Sequence, residues 1–292
     1  MRSRLLKPAR DGPRLPDAVL LLTAICLLLR PLDVWWVTGL VLLGAGLAVL
    51  YPAVRHAPPT WGVLAILVAL RIAAVWPLSD NHIYLLSYWC LAIALALGAS
   101  DPPSALSRSS RWLLGAAFAF AVLWKAVLSP DYLDGRFFRV TMLTDPRFAD
   151  AVMLVGGLTA DDISADRTML EPLPEGAVLA DPPAVHESSR FRAMAVATTW
   201  GALLLEALVA VLCLMPESRR VEVPRHAAIL AFCITTYALA PVAGFGWLIA
   251  VMGLAQCRTE QRLLRASYTA VFFLVLLYSE VPWTGVLHDL VS

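Results

Sequence analysis

Four ionisable side chains stand where the chain is otherwise apolar: Arg71, Lys125 and Glu206 inside hydrophobic runs, and His82 at the opening of one. A charge at the centre of a membrane helix costs roughly 2.5–3.5 kcal/mol on insertion scales, so each needs a reason. A lysine in a low-dielectric site loses proton affinity and becomes usable as a base. A histidine beside it can relay a proton or donate a hydrogen bond to a developing anion. The structural alternatives are equally concrete. Arg71 and Lys125 have stems long enough to snorkel to the headgroups. Glu206, in mid-run, would form a hydrogen bond or ion pair within a bundle, with Arg71 as one candidate partner. Asp80 or Asn81 would cap the helix that His82 opens.

The elements that hold these residues follow from composition. Of 292 residues 59% are hydrophobic and 15% charged, with a mean hydropathy of +0.71. A soluble domain carries about 25% charged residues, so this chain has more apolar side chains than one water-soluble core can hold. They come in runs near 17–30, 34–54, 60–76, 82–99, 112–129, 193–215, 227–240, 242–256 and 266–281. A membrane span takes about 20 residues. The reading is an all-α polytopic membrane bundle, a single membrane domain over 1–292, of about nine spans. Counts of seven and eight stay open, because 227–256 surrounds Pro241 and reads as two short spans or one kinked helix.

Charge tests this count. With the N-terminus inside, the inner connections hold Arg2, Arg4, Lys7, Arg10, Arg14, Arg55, Arg108, Arg111, Arg219, Arg220, Arg225, Arg258, Arg262 and Arg265, whereas the short outer ones hold only Arg30. That is the cytoplasmic excess of Lys and Arg. It predicts a multi-pass protein of the inner (plasma) membrane with a cytoplasmic N-terminus and an outer C-terminus; long apolar helices, rather than barrel strands, favour that membrane. His82, Lys125 and Arg71 then all fall in its outer third.

The one long polar loop, 130–192, lies outside. Phe148, Ala151, Val152 and Val155 follow helical spacing and predict an amphipathic helix on the membrane surface or on the bundle. Glu171-Pro172-Leu173-Pro174 and Asp181-Pro182-Pro183 predict irregular structure. Asp161, Asp162 and Asp166 fit no standard calcium loop and read as a solvated acidic stretch. Trp35, Trp36, Trp61, Trp76, Trp89, Trp112, Trp200 and Trp283 mostly stand near run ends, as an aromatic belt does. The five cysteines show no metal-ligand spacing, no metal site is expected, and nothing points to nucleic acid.

Two stretches go further. Ser79-Asp80-Asn81-His82-Ile83-Tyr84-Leu85-Leu86 and Leu123-Trp124-Lys125-Ala126-Val127-Leu128-Ser129-Pro130-Asp131-Tyr132-Leu133-Asp134-Gly135 resemble the transmembrane domain of the vitamin K-dependent gamma-carboxylases and their bacterial relatives, the horizontally transferred transmembrane domain (HTTM) family. That family has an Asn-His-x-Tyr-Leu element, a later Lys at a helix end, and an aromatic residue three positions before a Gly. Glu206 in Leu203-Leu204-Leu205-Glu206 is similar to a further acidic position. The resemblance spans about 60–280. It implies that Lys125 is the base acting on a reduced quinone, that His82 assists it, and that Asn81, Tyr84, Arg71, Tyr132 and Glu206 line the substrate site. The chain departs from the family in lacking a large region after the last span, in having one Lys near 125, and in a Lys125–Gly135 stretch about one residue longer.

Two functions remain. One is an outer-leaflet pocket for a quinone or other lipophilic substrate, with carboxylase-like or quinone-linked oxidoreductase chemistry. The other is a non-catalytic membrane subunit or scaffold of a larger complex or a peptide-maturation or export system. Membrane lipids are partners in both, and a separate protein would supply the missing substrate domain. A transporter would carry a polar stripe through the bundle, whereas the polar groups here gather near one face.

Overall fold

Proline placement sets many of the helix boundaries. Tyr51, Ala57, Ser129 and Asp145 each precede a proline and each leave the α region, with φ/ψ of −117/106, −87/119, −124/84 and −89/115. The proline ring enforces that extended conformation on its predecessor and then opens the next helix, where its missing N–H costs nothing. The computed structural model describes residues 16–29, 32–77, 79–172, 176, 178, 184–239, 243–280, 286–287 and 290. The basic N-terminus, Arg30, Leu173-Pro174, Asp181-Pro182-Pro183, Pro241 and Trp283 lie outside them.

In chain order the helices are α1 (Asp17–Leu29), α2 (Trp35–Leu50), α3 (Pro52–Arg55), α4 (Pro58–Ala74), α5 (Asn81–Leu97), α6 (Pro102–Leu123), α7 (Pro130–Leu133), α8 (Arg136–Thr144), α9 (Ala149–Ala151), α10 (Ala160–Met169), α11 (Ser189–Leu214), α12 (Arg219–Leu239), α13 (Ala243–Ala255) and α14 (Arg262–Glu280). A π turn, Trp124–Leu128, extends α6, and another, Val152–Gly156, extends α9. Among the described residues there is no strand. Two helices there are long and apolar enough to cross a membrane: α6 with its π turn, Pro102–Leu128, and α11. Helices α1, α2, α4, α5 and α13 are apolar but shorter. The stretch 227–256 forms two helices, α12 and α13. Helix α6 starts well before the apolar run at 112, since Pro102-Pro103 begins a helix whose first turns are polar.

The residues fall into two compact units, Met1–Leu114 with Trp247–Ala270 and Gly115–Gly246 with Val271–Ser292. In the first, α1, α2, α4 and α5 pack around buried Trp61 and Trp89. Each indole has a partner: Trp61 Nε1 donates to the Arg55 carbonyl at 2.7 Å, and Trp89 Nε1 to Thr23 Oγ1 at 3.1 Å. Arg55, 5% exposed, grips both Asp17 oxygens at 2.9 Å and donates to the carbonyls of Ala48 and Val49 at 2.8 and 3.0 Å. Those carbonyls are among the last of α2, which no further turn can satisfy. Within the same unit Ser110 of α6 donates to the Met252 carbonyl of α13 at 2.5 Å and accepts from Gln256 Nε2 at 3.2 Å.

In the second unit α11 is the spine. Gly115 of α6 meets it so closely that a Cβ would stand 2.8 Å from Leu214 Cδ2. Residues 136–172 and 184–188 build a cap on its first turns. Met142, Leu143, Phe148, Val152, Leu158, Ile163 and Phe191 form the cap's core. The spacing at Phe148, Ala151 and Val152 is helical and buried as expected, but it faces this core; Val155 is exposed. Three consecutive residues tie the cap shut. The backbone N–H and Nδ1 of His186 reach Asp166 Oδ1 at 2.9 and 2.8 Å. Glu187 bridges Arg139 of α8 and Arg192 of α11, both at 2.6 Å. Ser188 donates to the Gly156 carbonyl and accepts the Phe191 N–H at 2.9 Å, capping α11. The acidic trio is thus occupied in part: Asp162 forms a capping box with Thr159, and Asp166 is fully buried on His186.

Two outcomes follow. Arg55→Met leaves buried carbonyls unmet, at about 1–3 kcal/mol each, whereas Asp17→Asn removes only a half-exposed ion pair of about 0–1 kcal/mol. Thermal unfolding in detergent is expected to show a clearly larger loss for Arg55→Met; equal losses would make the carboxylate the anchor. The Asp166 hydrogen bond, then the charges of Asp166 and Asp162, raise His186 above its ordinary value of 6.5. A raised histidine stabilises the folded cap below that value, and the contribution disappears as pH rises through the folded value. Amide exchange over 158–170 and 184–188, corrected for its intrinsic rate, is expected to quicken as pH rises above the ordinary histidine range, and His186→Gln to flatten that change.

Candidate functional site

Helix α6 delivers Lys125 on its π turn. The π turn takes one more residue per hydrogen-bonded loop than an α turn, a distortion common where a side chain must be re-aimed. Pro130 ends it by forcing Ser129 out of the helix. Helix α11 runs back alongside. From the Gly115–Leu214 contact, two to three turns along α6 and as many back along α11 bring Lys125 level with Glu206. Lys125 Nζ donates to Glu206 Oε1 at 2.5 Å, with the lysine side chain 25% exposed and the glutamate 9%.

Tyr132 of α7 completes the cluster. Lys125 Nζ lies 5.2 Å from the centre of its ring, a cation–π distance. The ring is packed by Phe137 and Phe138 of α8, at 5.4 and 5.8 Å between centroids. Gly135 makes the turn between α7 and α8 with φ +81°, and a Cβ there would stand 3.3 Å from Val196 Cγ2 of α11, so glycine serves both conformation and space. Burial, then the nearby Glu206 charge, push the Tyr132 phenol above its ordinary range, so it stays protonated and able to donate. Neither its hydroxyl nor Glu206 Oε2 has a protein partner, and both are buried. Each such atom costs about 1–3 kcal/mol unless something meets it. The cluster therefore offers a donor, an acceptor and an ammonium group to a guest molecule.

An open apolar groove of about 630 Å3 runs along α6 and α11; the three cluster residues do not line it, but their chain neighbours do. Ala126 and Val127 follow Lys125, and Ala207 follows Glu206, at one end; Ala119, Leu214 and Met215 lie at the other. Its volume is that of a small-molecule site, about 300–1,000 Å3.

The other candidate residues belong to the first unit. Asn81, His82 and Tyr84 form the opening turn of α5, Asn81 exposed and the other two half-buried. Asp80 stands at the N-cap without a side-chain capping bond. Arg71 is 5% exposed and does not snorkel. It donates to the Leu32 carbonyl at 3.2 Å, Ser79 Oγ at 2.9 Å and Asp33 Oδ2 at 3.1 Å, which closes the α1–α2 turn on α4. Glu206 pairs with Lys125, and Arg71 with Asp33. The residue types at 71, 125 and 206 announced buried charge; only the packing of α6 on α11 shows which two meet. Among the described residues no three His, Cys, Asp or Glu side chains gather to hold a metal ion.

No protein-family model matches this chain, and no curated protein and no solved structure is significantly similar to it.

Lys125→Met strands a buried carboxylate, which costs about 3–5 kcal/mol when a buried pair loses one partner. The double variant Lys125→Met/Glu206→Leu removes both charges and is expected to recover most of that stability in thermal unfolding. A double variant no more stable than Lys125→Met would deny the coupling.

Proposed function

We propose that this chain is a polytopic membrane protein whose second unit binds a lipophilic molecule, a quinone in the reading we favour, with its polar head at Lys125, Glu206 and Tyr132. The observation that carries it is the buried Lys125–Glu206 pair, with two unmet polar atoms in its cluster and an open apolar groove lined by the neighbouring Ala126 and Ala207. The groove would take the tail.

Membrane embedding draws support from the exposed apolar rows. Leu40, Leu43, Leu47 and Leu50 on α2, Val63, Ile66 and Leu70 on α4, and Leu204, Leu208 and Val211 on α11 are all exposed at helical spacing. Water does not tolerate continuous apolar faces of this extent, whereas acyl chains do. The nine-span arrangement in the inner membrane, N-terminus inside and C-terminus outside, remains our topology on the strength of the charge distribution. Helices α2, α4 and α5, of 16, 17 and 17 residues, are short for a bilayer about 30 Å thick. Local thinning and flanking aromatic residues accommodate such lengths.

The resemblance to the gamma-carboxylase membrane domain adds the chemistry. A proton passed from Lys125 to Glu206 leaves a neutral amine that can take a proton from a quinol hydroxyl, while the Tyr132 phenol donates to the head's oxygen. Glu206 is then the base's proton store, and Lys125 the group that touches substrate. The resemblance also gives His82 a share, which is tested separately by His82→Ala.

The deciding measurement is quinone retention by purified protein in nanodiscs, for wild type, Lys125→Ala, Glu206→Gln, Tyr132→Phe and His82→Ala, each verified as folded. Wild type is expected to hold quinone, with at least about a tenfold loss for Lys125→Ala, the effect of some 1.4 kcal/mol. Equal behaviour of wild type and Lys125→Ala would replace this reading with that of a non-catalytic membrane subunit.

A further inference from the structure

Helix α8 has two apolar faces, and the cap core uses one. Met142 and Leu143 are buried in that core and Phe138 packs against it. Phe137 and Val140, one turn apart on the other side, are 48% and 47% exposed. Residues three apart share a helix face, so they form one apolar patch. The patch is continuous with exposed apolar side chains where α6 ends: Trp124, Val127 and Leu128 on the π turn are 63%, 67% and 58% exposed. Only α7 and its turns intervene. The Phe137 ring, 5.4 Å from that of Tyr132, bridges the two.

We propose that α8 is an interfacial helix that rests on the outer leaflet, with Phe137 and Val140 sunk into the boundary between headgroups and acyl chains. The inference rests on the membrane reading above, in which α6 crosses the bilayer and Leu128 marks its outer limit. A nine-residue amphipathic helix that begins so soon after that limit lies at headgroup depth.

Charge specifies the kind of lipid contact. Arg136, the exposed cation of the patch, is held by Asp131 at 2.9 Å and Asp134 at 2.6 Å, and Arg139 by Glu187. These cations are spent on internal carboxylates, so the docking is apolar. It needs no anionic lipid and is insensitive to salt, unlike the polybasic helices that bind acidic membranes.

The test is accessibility of single introduced cysteines at Phe137→Cys and Val140→Cys in phosphatidylcholine nanodiscs holding one protein each. Asp161→Cys on exposed α10 serves as the reference, and wild type as the blank, since its own cysteines are buried except for half-exposed Cys257. A bulky membrane-impermeant maleimide is expected to label positions 137 and 140 at least about tenfold more slowly than 161. A fluorophore at 140 is expected to be quenched by nitroxide on the upper acyl chain, unchanged when salt is raised. Labelling at the reference rate overturns the proposal. So does slow labelling without quenching, which would show that protein covers the patch. Because no quinone enters this experiment, its failure and that of the Lys125 site are separate results.

Discussion

A charge placed among apolar helices must be answered within its own contact shell, because neither lipid nor hydrocarbon side chains can hydrate it. That constraint organises this protein. Arg55 is answered by Asp17 and by the terminal carbonyls of α2, Arg71 by Asp33, Ser79 and a carbonyl of the α1–α2 turn, and Lys125 by Glu206. The two arginines have rigid forks with several donors and use them to gather chain ends that packing alone would leave loose. Lys125 differs. Its partner keeps one oxygen unmet and its aromatic lid keeps a free hydroxyl. The two arginines build scaffold, whereas the unmet atoms around Lys125 stand in a cluster that also holds an ammonium group.

The cap obeys the same logic in a wetter setting. Its core is small, so polar anchoring supplements it. Residues 186–188 divide the work among four elements, with one anchor to α10, one to α8 and α11 together, and one to the π turn after α9. Arg192 and then Arg139 hold the Glu187 carboxyl below its usual range, so this bridge persists through mild acid. Helix α11 therefore carries two structures on one rod, the cap at its first turns and the Glu206 cluster deeper down.

Much of the helical skeleton was legible in the sequence, because apolar runs closed by proline or polar turns leave few alternatives. The runs at 60–76, 82–99 and 193–215 lie within a few residues of α4, α5 and α11. What hydropathy misses are polar turns that are nevertheless helical, such as the start of α6 at Pro102, and helices whose apolar residues serve a small local core, such as α8 and α10. Lys125 and Glu206 stood out by type, and Tyr132 entered only through the family resemblance. Their meeting depends on how closely α6 approaches α11 at Gly115, a tertiary fact that no local pattern encodes. The same holds for Arg71, two of whose partners, Leu32 and Asp33, lie in a turn in which Asp33 takes a φ of 58°.

The π turn at Trp124–Leu128 has one further meaning. An α-helix advances about 100° per residue, so one extra residue shifts the phase of everything after it by roughly a quarter turn or more. Before the turn, Gly115 on Leu214 sets the phase of α6; within it, Lys125 has to face Glu206 on the same partner helix. The wider turn sits where α6 passes from the one contact to the other, a vernier between two points of attachment to α11.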